Sequence, residues 1–222
     1  MKTDTAHQTW NTRWQTSEGR ADWLDADPDV APAAALSRAR GGVRALDIGA
    51  GVGRHSRVLA QAGFEVVATD LSEVGLEQIA GMAAGEGLAI STRLAPMTAL
   101  PFGDASFDYV LAFNVIYHGD ATVVRQAISE IARVLKPGGL YQGTMLSKRN
   151  AGCGVGTEIA ADTFVREEAG EDGDDKDHPH FYCDAAGLVA LFSGFELMSL
   201  VDREHRQPGS WHWHLVAERR GG

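Results

Sequence analysis

Two cysteines, Cys153 and Cys183, are all that this 222-residue chain contains. That is too few for a disulfide framework and fits a reducing compartment, so a cytoplasmic protein is expected. No apolar run approaches the roughly 18 residues needed to cross a bilayer. Met1-Lys2-Thr3-Asp4 does not open a signal-peptide segment, so no membrane partner is expected. Basic residues are also scarce: 20 Lys and Arg against 30 Asp and Glu leave a net charge of −10. Nucleic-acid binding by counterion release needs clustered Lys and Arg, and none cluster here. Paired Cys-x-x-Cys or His-x₃₋₅-His elements are missing too, so no metal is expected. What these absences leave is a small-molecule partner. The 44% hydrophobic content suits one domain with a single well-buried core.

Glycine, by contrast, is concentrated where it carries information. Leu46-Asp47-Ile48-Gly49-Ala50-Gly51-Val52-Gly53 joins an apolar run to a helical pattern that starts at Arg54. A side chain at 49, 51 or 53 is expected to block a ligand from the backbone, and the new helix points free N–H groups at whatever lies over the turn. Asp70 follows the first glycine by 21 positions and ends the next apolar run. A carboxylate there can take both hydroxyls of a ribose. The pattern is G-x-G-x-G, and the dinucleotide fingerprint's third glycine is replaced by Arg54, which argues against a pyrophosphate ligand. A nucleoside cofactor is therefore expected.

Apolar runs and helical patterns alternate from there, predicting a parallel sheet covered on both faces. Strands are expected near 44–48, 65–69, 89–93, 107–113 and 139–146, with helices near 53–62, 72–84 and 121–135. A helix at Asp184–Ser193 and strands at Phe195–Asp202 and Trp211–Glu218 follow. Ser72 precedes a helical pattern and offers itself as its cap, which leaves Asp70 for the ligand.

Two further segments, Pro101-Phe102-Gly103-Asp104-Ala105-Ser106-Phe107-Asp108-Tyr109-Val110 and Val134-Leu135-Lys136-Pro137-Gly138-Gly139-Leu140, follow the glycine turn in order. With them the chain resembles the class I S-adenosylmethionine (SAM) methyltransferases of the small, soluble type, most strongly over residues 43 to 146. The resemblance implies a Rossmann-like α/β fold, mostly parallel with a C-terminal antiparallel strand and helices on both faces, and S-adenosyl-L-methionine as cofactor. It implies that Asp47 and the Gly49, Gly51 and Gly53 turn hold the methionine end, Asp70 the ribose, and Leu71 and Met97 the adenine, with Asn114 a further pocket residue. Where the family commonly has an acid for the adenine amino group, this chain has Pro96, which offers neither a carboxylate nor an N–H.

For the chemistry, His118 is expected to end the strand that begins at Asp108 and to face the sulfonium, as a base or as pocket wall. His180 and Tyr182 are expected to close over the substrate. Tyr109 and Phe113 read as core, and Cys183 as a buried small residue. His212 and His214 share one face of the last strand, opposite Trp211 and Trp213. Lys148 and Arg149 could receive an anion, and the acid-rich run Glu167–Asp177 a cation.

Residues 1–40 read as a helical cap of this single domain, which either covers the pocket or forms a homodimer surface. The aperiodic stretch 147–183 reads as a substrate lid or an insertion. The Trp-rich start (Trp10-Asn11-Thr12-Arg13-Trp14), compact length and motif order are similar to the tellurite-resistance methyltransferase group, which implies a soft chalcogen or thiol nucleophile. The alternatives are an O- or N-methyltransferase using His118 as base, or a SAM-binding regulator without catalysis.

Overall fold

The structure, a computed structural model, describes residues 4–166 and 175–221. Three helices, α1 (His7–Arg13), α2 (Ser17–Ala21) and α3 (Val30–Ala39), precede the sheet. The parallel strands are β1 (Arg44–Ile48), β2 (Glu65–Asp70), β3 (Ile90–Leu94), β4 (Phe107–Ala112) and β5 (Leu135–Ser147). Between them run α4 (Arg54–Gln61), α5 (Glu73–Glu86) and α6 (Ala121–Val134). A hairpin of β6 (Thr157–Ala160) and β7 (Thr163–Val165) leads to β8 (His180–Cys183) and α7 (Ala185–Leu191). The antiparallel pair β9 (Phe195–Glu204) and β10 (Trp211–Arg219) closes the chain.

The order β3-β2-β1-β4-β5 places the crossover between β1 and β4, and β10 pairs antiparallel with β5. β1 and β4 are buried along nearly their whole lengths, as strands with helices on both faces must be. α6 buries Val124, Ala127, Ile128, Ile131 and Val134, one stripe at helical spacing. Asp120 caps it by accepting hydrogen bonds from the N–H groups of Thr122 and Val123 at 2.8 and 3.0 Å. Ser72 caps α5 in the same way, through Gly75 N–H at 3.1 Å. α3 lays Val30, Ala33 and Ala34 into the core layer that holds Leu59, Phe64 and Tyr109.

Two expectations need correcting. β4 stops at Ala112, so His118 does not end the strand. Asn114 has φ of 59°, and its backbone N–H donates to Thr144 Oγ1 at 2.8 Å, which turns the chain out of the sheet. The stretch 147–183 is not uniformly irregular: it builds the β6–β7 hairpin and β8. β8 pairs in parallel with Leu146 and Ser147, just beyond the level at which Ala112 of β4 lies opposite Gly143. The N-terminal helical region consists of α1, α2 and α3. Most of the acidic run, Glu167 to Asp174, lies outside the described residues.

Candidate active site

A ligand crevice in an open α/β sheet forms at the carboxyl ends of the strands flanking the crossover. Here those ends are Gly49, after β1, and Val115, after β4, and both line a cavity. Gly49, Gly51 and Gly53 adopt φ of 63°, 56° and 87°. Packing alone excludes a side chain at Gly53: an added Cβ would stand 2.7 Å from Ile79 Cγ1 of α5. At Gly51 a Cβ would lie 3.2 Å from the Trp14 ring. Gly49 and Gly51 line the cavity, whereas Gly53 is the N-cap of α4 behind it.

The two acids of the motif play different parts. Asp70 lines the cavity, and its carboxylate accepts Gly51 N–H and Ser72 N–H, each at 2.8 Å. It therefore holds the turn as well as facing the cavity, so the Ser72 cap does not leave it unengaged. Burial raises its pKa, against the backbone N–H groups of Ser72 and Gly51. Asp47 is not among the cavity-lining residues. It is 2% exposed and accepts a 2.6 Å hydrogen bond from Ser56 Oγ of α4. Burial pushes it up to about 7 in spite of that bond. Its visible role is to tie β1 to α4 beneath the turn.

The outer wall comes from the N-terminal helices. Trp10 stacks on Trp14 with centroids 5.0 Å apart, and Trp23 meets Trp10 edge-on at 4.7 Å. All three line the cavity, with Arg54 5.0 Å over the Trp23 ring. Asn11 anchors this wall to α5, its Oδ1 accepting from Ser72 Oγ at 2.9 Å. The buried Trp14 Nε1–H is without a hydrogen-bond partner among the described residues. Leu71, Pro96, Met97 and Asn114 also line the cavity.

His118 also lines the cavity and backs onto a buried cluster. His118 Nε2 lies 3.4 Å, and His180 Nε2 3.5 Å, from the same oxygen, Asp175 Oδ2. Lys176 Nζ donates to Asp175 Oδ1 at 2.9 Å and lies 3.4 Å from His180 Nε2. Burial opposes the charge on Asp175, yet His118, His180 and Lys176 hold its pKa well below the usual carboxylate range. Burial takes His180 down to about 4, so its imidazole is neutral near pH 7. His180 Nδ1 lies 2.8 Å from the His178 carbonyl, which only accepts; the ring proton is thus on Nδ1 and the lone pair on Nε2.

Nearby, His205 stacks on His212 with centroids 3.9 Å apart, and His205 Nε2 lies 2.7 Å from His214 Nε2. Burial lowers His205 to about 4 and His212 and His214 to about 3. The Tyr117 ring bridges the two groups, 6.0 Å from His180 and 5.9 Å from His212.

The remaining sequence candidates fall elsewhere. Neither His180 nor Tyr182 lines the cavity: His180 sits behind His118, while Tyr182 packs in the core against Phe164 with its hydroxyl toward Gly152. Cys183 is buried in the same core, and burial pushes its thiol up to about 12. Lys148 pairs with Asp162 at 2.7 Å. Arg149 lies 3.5 Å over the Trp211 ring, so both cations are engaged within their own region. Asp175 and Lys176 escaped the sequence reading, hidden in an acidic run. That the N-terminal helices cover the pocket was one of its two readings, but the three tryptophans were not singled out as the wall.

The crossover, the glycine turn and the antiparallel β10 match the Rossmann-like methyltransferase fold. Residues 45–139 match the family model described as a methyltransferase domain. Demethylmenaquinone methyltransferase of Clavibacter sepedonicus is 44% identical over 100 residues, which cover 44% of this chain and 39% of that protein. The chain thus spans about two fifths of such a curated relative. Among solved structures, 1,6-didemethyltoxoflavin-N1-methyltransferase of Burkholderia thailandensis superposes with a TM-score of 0.70 at 19% identity, covering 96% of this chain and 88% of that one. TehB from Haemophilus influenzae superposes at 0.64 and 16% identity, over 97% of this chain and 68% of that one. At these identities the structural likeness is one of fold.

Proposed function

We propose that this chain is a SAM-dependent methyltransferase acting on a small molecule with a thiol or other soft chalcogen nucleophile. The observation that carries the cofactor reading is the Gly49–Gly51 turn beside the Asp70 carboxylate, at the crossover and under a wall of three tryptophans. The residues fit the group. Asp70 would take the ribose hydroxyls, Leu71 and Met97 would cover the adenine, and the unpartnered Trp14 N–H is a donor for the methionine end. When bound, SAM supplies a methyl group already activated on a sulfonium. The chain then has to position an acceptor and exclude water. Trp10, Trp14 and Trp23 provide the apolar wall. Lys148, paired with Asp162, and Arg149, held over the Trp211 ring, are not free to receive a hard anion.

Calorimetry with SAM, S-adenosylhomocysteine and NADH tests the cofactor. Saturable binding of the first two and none of NADH is expected, with affinity at least tenfold weaker in Asp70→Ala. Circular dichroism establishes that the variant is folded. NADH binding, or no binding of either sulfur nucleoside, would refute the reading. A thiol panel against phenols and amines then tests the acceptor class.

A further inference from the structure

The cluster behind His118 has a geometry that hydrogen bonding does not explain well. A charge-assisted N–H···O bond runs at about 2.7–2.9 Å, and both imidazole Nε2 atoms stand 3.4–3.5 Å from Asp175 Oδ2. For His180 the mismatch is one of chemistry, because Nδ1 holds its proton and Nε2 points a lone pair toward a carboxylate oxygen. Two acceptors facing each other need a cation beside them, a place that Lys176 Nζ takes at 2.9 Å from Asp175 Oδ1 and 3.4 Å from His180 Nε2. A tetrahedral ion with bonds of about 2.0–2.1 Å has ligand–ligand edges of roughly 3.3–3.4 Å, close to the distances observed. The three ligand atoms all lie within 4.8 Å of one another.

We propose that His118 Nε2, His180 Nε2 and Asp175 Oδ2 bind one divalent transition-metal ion of the zinc class, with its open position toward the cavity that His118 lines, where it takes the acceptor's thiol as a thiolate. Two imidazoles and one carboxylate with an open fourth position form the donor set of catalytic zinc. The His180 Nδ1–H bond to the His178 carbonyl is the outer contact that orients such a ligand and makes it more basic. When a thiol binds, its S–H bond breaks, the electron pair stays on sulfur as a ligand to the ion, and the proton passes to water. This supplies an anionic acceptor without a general base. Lys176 is the internal cation of the metal-free cluster, and ion binding displaces its ammonium toward solvent. The other carboxylate–imidazole group, Asp27, Asp29 and His214, is already neutralised by Arg203, 3.0 Å from Asp27 and 2.8 Å from Asp29. The thiolate part of this proposal rests on the methyltransferase reading; the ion site does not.

The test uses the full chain, stripped with EDTA and free of SAM, titrated with Zn²⁺ by calorimetry and with Co²⁺ by visible absorption. One ion per chain is expected, with the intense d–d bands of tetrahedral Co²⁺. Binding weakens at least tenfold in His180→Ala and in Asp175→Asn, and tightens in Lys176→Met, which removes the competing ammonium without deleting a ligand. Thermal melts establish that each variant is folded, and His205→Gln, one cluster away, leaves ion affinity unchanged. Adding β-mercaptoethanol to the Co²⁺ form brings a near-ultraviolet sulfur-to-cobalt charge-transfer band. No saturable binding in either the parent or Lys176→Met, or equal binding in folded His180→Ala and Asp175→Asn, overturns the site. Ion binding without the charge-transfer band overturns the thiolate role. S-adenosylhomocysteine calorimetry on the same sample separates the failures: nucleoside binding without ion binding sinks the metal alone, and the converse sinks the methyltransferase reading.

Discussion

At Gly53 the backbone turns at φ of 87°, and a methyl group would stand 2.7 Å from Ile79 Cγ1. Both the left-handed conformation and the helix packing exclude a side chain, although the position does not line the cavity. Gly53→Ala is therefore expected to cost about 1–3 kcal/mol, measured by urea unfolding. Trimming the facing side chain in a Gly53→Ala/Ile79→Val double variant recovers part of that loss. An unchanged midpoint for the single variant would mean that α5 shifts freely. The same distinction separates the motif's two acids. Asp70 faces the cavity while holding the turn, and Asp47 ties β1 to α4 through Ser56.

Among the elements, α1 and the segment leading into β8 are joined by one imidazole. His178 places Nδ1 2.9 Å from Thr5 Oγ1 and Nε2 2.9 Å from Thr9 Oγ1, so both ring nitrogens are engaged by the N-terminal segment. The helix that carries Trp10 is thereby fastened to the chain that carries Asp175 and His180. We expect this contact to hold the cavity wall in place, with the 147–183 segment acting as a substrate lid. A Thr5→Val/Thr9→Val variant removes both hydroxyls without changing the side-chain shape. Limited proteolysis within 150–178 should then be faster than in the parent and slowed less by S-adenosylhomocysteine. Equal cutting in both proteins, with or without the nucleoside, would argue against a lid.

Across the whole molecule, buried imidazoles make stability depend on pH in a definite direction. His205, His212 and His214 titrate at about 4, 3 and 3 in the folded chain, against 6.5 when exposed. Below pH 6.5 the unfolded chain binds protons that the folded one refuses, so their stabilisation is complete above that pH and is lost as pH falls toward about 3. Asp47, raised to about 7, works in the opposite sense: its ionisation in the unfolded chain lowers stability as pH rises from about 4 to 7. His55 and His180 are lowered by burial as well, and Asp70 is raised beside Asp47, so five imidazoles stand against two acids and the melting temperature should fall on acidification from pH 7.5 to 5. The fall should be shallower in His212→Gln and steeper in Asp47→Asn. Parallel melting curves for all three proteins would show that these groups do not control the acid limb.

The amino-acid sequence determined the order of the elements, because the alternation of apolar runs with helical stripes depends only on local spacing. It also marked the turn: Gly49, Gly51 and Asp70, with Leu71, Met97, Asn114 and His118, were all legible and all border the cavity. What only the tertiary structure decided is what lies behind His118. β4 ends at Ala112, and β8 is laid beyond that end, with an isolated bridge between His118 and His180. Residues far apart in the chain thus meet around Asp175 with no spacing rule to reveal them. The same holds for Trp10, Trp14 and Trp23, which local spacing reads as helix, and for Tyr182, which pairing with β5 directs into the core. Local pattern is a property of neighbouring residues, whereas a buried cluster depends on which strand edge a distant segment covers.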